Sequence, residues 1–271
     1  MDSVLNRRVL IYFFFIFLVL FVYYIYVDFS SYFELKNYAL YLEEDNSLIF
    51  VNSRLSLNKG DRYDGMVISD VFSEIEGLVT LDSSSVPWNK YSSVIEKVYV
   101  KDFVQPINTS YWFYNFENCN YLDLEKLDMS YVTDMSYMFY NTGSSVSNFK
   151  IDGLTSWDTS NAIIMKYMFY NTGRDSISIE LGNLEKWDTA DVYDMSYMFA
   201  YSGVSSNNFD IGDISKWDTS YVTDMSYMFK KTGYNSNWKI ILSDWDVDKV
   251  DLYEGFNRYV KDKVIEPDWN D

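Results

Sequence analysis

A motif returns at a spacing of 30 residues. LDMSYVTDMSYMF (127–139), WDTSNAIIMKYMF (157–169), WDTADVYDMSYMF (187–199) and WDTSYVTDMSYMF (217–229) align without a gap. A glycine closes each unit, at Gly143, Gly173, Gly203 and Gly233, and an eroded fifth copy begins 28 residues later as WDVDKVDLYEGF (245–256). Self-similarity at such a period is the signature of a stacked array, because one short unit cannot bury its apolar face without its neighbours.

Each unit carries a hydropathy pattern. In the fourth, Phe209 and Ile211 alternate with polar residues as a half-buried strand does, and Ile214, Trp217 and Val222 are further inward positions. Met225, Met228 and Phe229 stand at i, i+3 and i+4, the spacing of one helical face, with Thr223 or Asp224 available as the cap and Gly233 as the stop. The same positions hold Ile179, Leu181, Leu184, Trp187, Val192, Met195, Met198 and Phe199 one period back. The expected fold is therefore an α/β repeat solenoid, leucine-rich-repeat-like, with a short strand and a short helix per unit. Most of the 11 methionines fall in these units and read as core filling.

The amino terminus adds a second constraint. Val9 to Val27 is uncharged and follows Arg7–Arg8; as a helix it would span roughly 28 Å against a hydrocarbon core of about 30 Å. It predicts a single transmembrane signal-anchor with the amino terminus cytoplasmic and the rest outside the cell. A cleaved signal peptide is the competing reading, weakened by the lack of a small-residue cleavage site. The resulting division is a cytoplasmic tail at 1–8, a membrane span at 9–27, a stalk at 28–35, a β-rich cap at 36–118 and the repeat solenoid at 119–265.

The motif resembles that of the BspA-type leucine-rich-repeat-like surface proteins, the bacterial surface repeat also described as DUF285. The signature W-D-T-S-x-V-T-x-M-x-x-M-F is matched nearly letter for letter at 217–229, and 37–50, 62–65, Pro87–Trp88 and 95–116 resemble the family's amino-terminal capping region. The second unit departs from the pattern, with Ala162, Ile163 and Ile164 where the signature has V-T-D, and the period is longer than usual for the family. The resemblance implies an adhesive or host-interacting surface protein without catalytic residues.

Composition bounds the chemistry. The chain has no histidine, which removes imidazole acid–base catalysis, His-activated nucleophiles and histidine metal ligation. Its formal charge of −18 argues against a nucleic-acid partner; from Cys119 to Asp271 there are 25 acidic and 13 basic residues. The lone Cys119 can form no internal disulfide and aligns with a core position. The Asp128, Asp158, Asp188, Asp218 and Asp246 column reads as turn-closing side chains, with a calcium ladder as the alternative. An EF-hand starting at Asp244 is rejected, since Lys249 stands at its glycine position and Gly255 at its glutamate position. Asn108-Thr109-Ser110 is a glycosylation sequon.

The remaining candidates are tyrosines. Tyr137, Tyr167, Tyr197 and Tyr227 recur at one position opposite the Met/Met/Phe face and are expected to form an outward row. Such a row can bind a protein, stack on sugar rings, or pack on itself across the joints between units. The expected function is thus a non-enzymatic membrane-anchored surface protein, without cofactor or metal, that binds a host or neighbouring-cell protein. A glycan-binding module and a purely structural envelope component are the alternatives.

Overall fold

The structure is a computed structural model that describes residues 16–20, 22 and 35–269. Its backbone is a sheet continued into a stack of turns. Strands β1 (Lys36–Leu42) and β2 (Ser47–Ser53) form an antiparallel hairpin, turning at Asn46, which takes a left-handed φ of 53°. A small hairpin of β3 (Arg62–Tyr63) and β4 (Met66–Val67) follows. Strand β5 (Asp70–Ser73) then pairs antiparallel with β1. Beyond it, β6 (Lys97–Val100), β7 (Tyr121–Asp123), β8 (Asn148–Asp152) and β9 (Ser178–Glu180) add one after another in parallel, giving a seven-stranded sheet of order β5-β1-β2-β6-β7-β8-β9. A separate parallel pair, β10 (Ile240–Ile241) and β11 (Val264–Ile265), closes the described chain.

The hairpin is buried on both faces, as its unbroken apolar run requires. Tyr38, Leu40, Leu42, Ile49 and Val51 pack on Ile68 on one side. Ala39, Tyr41, Leu48 and Phe50 join the main core on the other, which runs without interruption through Trp88 and Trp112 to Val264. Of the inward positions read from the repeat, Trp157, Met165, Met168 and Phe169 and their equivalents lie in that core, whereas Ile163, expected inward at the place of Val192 and Val222, is 40% exposed and Ala162 takes the buried position.

The expected α/β solenoid is not what the chain forms. Among the described residues the repeat contains no α-helix, and Met135–Phe139 and its equivalents are runs of turns. The hydrogen bonds give the reason. The amides of Met135, Tyr137, Phe139 and Asn141 donate to the carbonyl oxygens of Ile164, Lys166, Met168 and Tyr170 in the next unit, at 2.8–3.1 Å. The amides between them, of Met138, Tyr140 and Thr142, donate back three residues to Met135, Tyr137 and Phe139. Every second donor is thus spent on a neighbour, which an α-helix with all its bonds internal cannot allow. The left-handed residues Tyr137 (φ 59°), Asn141 (φ 58°) and Gly143 (φ 63°) break the helical path within each unit. Leucine-rich-repeat likeness fails with the helix.

The single transmembrane anchor is also corrected. Among the described residues no helix is long and apolar enough to cross a membrane. Of the segment 9–27, residues 16–20 and 22 are helical and the rest lie outside the described residues. The single-pass cell-surface localisation inferred from that segment loses its support with it.

Stacking is reinforced by columns of like residues. The rings of Phe113, Phe139, Phe169, Phe199 and Phe229 stack at 5.2–5.6 Å, and those of Trp157, Trp187, Trp217 and Trp245 at 6.0–6.4 Å. Buried Thr142, Thr172 and Thr232 each donate from Oγ1 at 2.7 Å to the carbonyl oxygen of Phe113, Phe139 and Phe199 in the preceding unit. Asn171 Nδ2 donates to Asn141 Oδ1 at 2.6 Å, and Asn141 Nδ2 to Asn115 Oδ1 at 2.9 Å.

Candidate functional site

The four candidate tyrosines do form one row. Tyr137, Tyr167, Tyr197 and Tyr227 stack at 4.8, 4.5 and 4.9 Å, and Tyr111 extends the row by one ring at 4.8 Å. Each adopts a left-handed φ of 56–62°, an uncommon state for a bulky residue, held by its amide donating to the next unit. A second row runs beside it: Tyr114, Tyr140 and Tyr170 stack at 4.9 and 4.7 Å, and Tyr201 meets Tyr170 edge-on at 5.6 Å.

This geometry decides what the row can do. A stacked ring has given both faces to its neighbours, and sugar recognition by an aromatic needs a free face. At the carboxy-terminal end even the outer face is covered: Gly255 lies so close that an added Cβ would stand 2.5 Å from Tyr227 Cε1. What the row offers outward is ring edges and hydroxyls. Burial, followed by the neighbouring phenols, raises the hydroxyl pKa of Tyr137 and Tyr167 above the ordinary tyrosine value, and that of Tyr140 is pushed up to about 12. Tyr227 is raised first by its hydrogen bond to Glu254, donated from the hydroxyl at 2.6 Å.

The aspartate column closes turns. Asp128, Asp158, Asp188, Asp218 and Asp246 each accept from the backbone amide two residues on, at 2.9–3.1 Å. The bonds from the Ser220 hydroxyl and amide hold the Asp218 carboxyl below its usual range. Among the described residues no group of three or more Asp, Glu or Cys could hold a metal ion. Cys119 is fully buried, and burial pushes its thiol up to about 12, far from a reactive thiolate. The sequon side chain is engaged as well: Asn108 Oδ1 accepts from Thr80 Oγ1 at 2.6 Å and from the Ser110 amide at 2.8 Å.

A different surface carries the exposed apolar area. In the extended segment after each aspartate turn, buried Val132, Ala162, Val192 and Val222 alternate with outward residues. The amides of Thr133, Ile163, Tyr193, Thr223 and Asp251 donate to the carbonyl oxygens of Ile107, Thr133, Ile163, Tyr193 and Thr223 at 2.8–3.4 Å, which fixes these positions as one column across the array. Ile107, Ile163 and Tyr193 (44% exposed) project from it, beside Tyr131 (60%) and Tyr221 (58%) from the position two residues earlier. Asp191 is exposed among them, and Asp134, Asp194 and Asp224 flank the column. Lys249 Nζ sits 3.6 Å from the centroid of the Tyr221 ring. Sequence reasoning passed over this stripe because its aromatics alternate between two positions: Tyr131 is answered by Asn161, Asp191 and Tyr221, and Tyr193 by Thr133, Ile163 and Thr223.

The architecture is that of a stacked repeat protein, and a family model assigns it further. The model described as "Mycoplasma protein of unknown function, DUF285" matches residues 107–203 and 172–261. The chain belongs to this family. No curated protein and no solved structure matches it.

Proposed function

We propose that the chain is a non-enzymatic binding protein whose repeat array engages another protein through the Ile107–Tyr131–Ile163–Tyr193–Tyr221 stripe. The observation that carries this reading is the stripe itself, an exposed run of aromatic and β-branched residues on a scaffold fixed by inter-unit hydrogen bonds. Contiguous exposed apolar area of this kind marks interaction sites, and tyrosine contributes large contact area at low entropic cost. Asp134, Asp191, Asp194 and Asp224 beside it favour a partner with a basic rim, which would speed encounter and fix orientation. The glycan reading is disfavoured because the stacked row keeps no free ring faces. The nearer kinship with BspA-type repeats, supported by the signature at 217–229, accords with an interaction role. The test is capture on immobilised protein followed by binary binding with each purified captured protein. The reading requires a binder whose affinity falls when Tyr131 and Tyr193 are changed to Ser, and binding indifferent to that change contradicts it.

A further inference from the structure

The parallel ladder on the strand side of the array ends at β9 in the third unit: the equivalent stretch 207–213 of the fourth unit forms no strand, and β10 in the fifth pairs with β11 alone. In the fourth unit the inward residues are Phe209 and Ile211; in the fifth they are Trp238, Ile240 and Leu242. The 30-residue period would place Lys239 beneath Phe209, yet Lys239 is exposed. The inward face is kept at a spacing of 29 residues, from Phe209 to Trp238 and from Ile211 to Ile240, so the fifth unit is one residue shorter at this point. No backbone hydrogen bond joins 207–213 to 237–241 among the described residues. On the opposite side the stack is continuous: the amides of Tyr227, Phe229 and Lys231 donate to Glu254, Phe256 and Arg258 at 2.8–2.9 Å. The result is an open cleft of ≈ 910 Å³ on the strand side alone.

One wall of the cleft is a strand edge. The amides of Ile240 and Leu242 donate to the carbonyl oxygens of Lys263 and Ile265 at 2.8 and 3.0 Å. By strand alternation the amides of Lys239 and Ile241 point the other way, toward the fourth unit. Ile241 (62% exposed) and its register partner Ile265 stand side by side on the surface there. Asp210, Asp213 and Asp262 face the cleft against Lys239 and Lys263, and the Lys263 ammonium is turned onto the Ser236 carbonyl. The surrounding array is strongly acidic.

We propose that this cleft receives an extended, lysine- or arginine-bearing peptide segment of a partner protein, which adds as a strand to the open edge of β10. Main-chain bonds to the Lys239 and Ile241 amides would hold it, Ile241 and Ile265 would cover its apolar side chains, and the acidic rim selects its charge. This site is separate from the tyrosine stripe and stands without it.

The experiment uses the full chain and two labelled peptides, one of alternating lysine and valine and one of alternating glutamate and valine. The lysine peptide binds and slows hydrogen exchange at the amides of 239–241, while the glutamate peptide does not bind. I241P removes an edge amide without touching the bonds to β11 and weakens binding about 10-fold or more. D210N/D262N, which leaves the backbone path alone, weakens it in a salt-dependent way. Tyr131→Ser/Tyr193→Ser binds the peptide as the unaltered chain does. Failure of the lysine peptide to bind, equal binding of both peptides, or binding lost on the stripe variant and kept by I241P and D210N/D262N would overturn the proposal.

Discussion

Trp187 Nε1 donates at 2.8 Å to the carbonyl oxygen of Leu154, one unit back, and both atoms are buried. Trp217 repeats this on Leu184 at 3.0 Å and Trp245 on Ile214 at 3.1 Å. Trp157, first in the column, has its Nε1 buried with no partner. The column therefore contains its own control. Trp187→Phe loses a buried hydrogen bond and leaves the Leu154 carbonyl with only the Trp157 amide at 3.3 Å, while Trp157→Phe removes an unpaired donor. Urea unfolding should show Trp187→Phe costing about 1–3 kcal/mol more than Trp157→Phe. Equal costs would mean that stacking alone accounts for the column.

Glycine positions separate strain from crowding. Gly60 takes φ 93° with open space around a would-be Cβ, whereas Gly203 takes φ 56° with Phe209 Cδ2 only 2.4 Å from that Cβ. Gly60→Ala should cost about 1–2 kcal/mol from the left-handed backbone alone. Gly203→Ala should cost about 1–3 kcal/mol beyond that, because a fully buried ring of the core must shift. Paired melting curves check the order, and a reversed order would contradict the packing described.

The tyrosine rows should register in alkaline titration. Tyr140 has its phenol pKa raised to about 12, first by burial and then by the neighbouring phenols. A raised folded pKa means the fold favours the neutral phenol. The linked stability is intact below the unfolded pKa of about 10 and is lost as pH rises from there toward 12. Tyrosinate absorbance should rise in two stages, with Tyr140→Phe subtracting from the later one. A single step near pH 10 on a chain still folded by circular dichroism would show that the rows are open to solvent.

Much of the core was legible before the structure. The inward Trp, Met and Phe positions follow from the repeat because a residue recurring in every unit must meet its own copies. The turn role of Asp128 and its equivalents followed from Asx chemistry at a fixed offset. The helix was not legible correctly, since Met225, Met228 and Phe229 at i, i+3 and i+4 face inward in a helix and equally in i→i−3 turns. Only the left-handed tyrosine, unexpected in a bulky residue, separates the two. The tyrosine row was visible because Tyr137 repeats in one alignment column. The stripe was not, because Tyr131 and Tyr193 occupy different columns that the extended backbone brings to one face. The seam was hidden because Phe209 and Ile211 repeat the apolar alternation of the earlier strands, yet 207–213 forms no strand and leaves β10 paired with β11 alone.

Stripe residues should be separable from stability. Tyr131 and Tyr193 are exposed, so changing both to Ser should move unfolding free energy by less than about 0.5 kcal/mol each. Changing the buried Val132 and Val192 beneath them to Ala should cost about 1–3 kcal/mol each. A large loss from the serine variant would assign these tyrosines to structure instead of recognition.

The most direct test of the binding account is titration calorimetry of the full chain with a purified protein captured on it, run in parallel on the Tyr131→Ser/Tyr193→Ser variant. The account predicts saturable binding with a negative heat-capacity change from apolar burial, weakened about 10-fold or more in the variant while its melting curve is unchanged. Affinity and heat-capacity change identical in both proteins would contradict it.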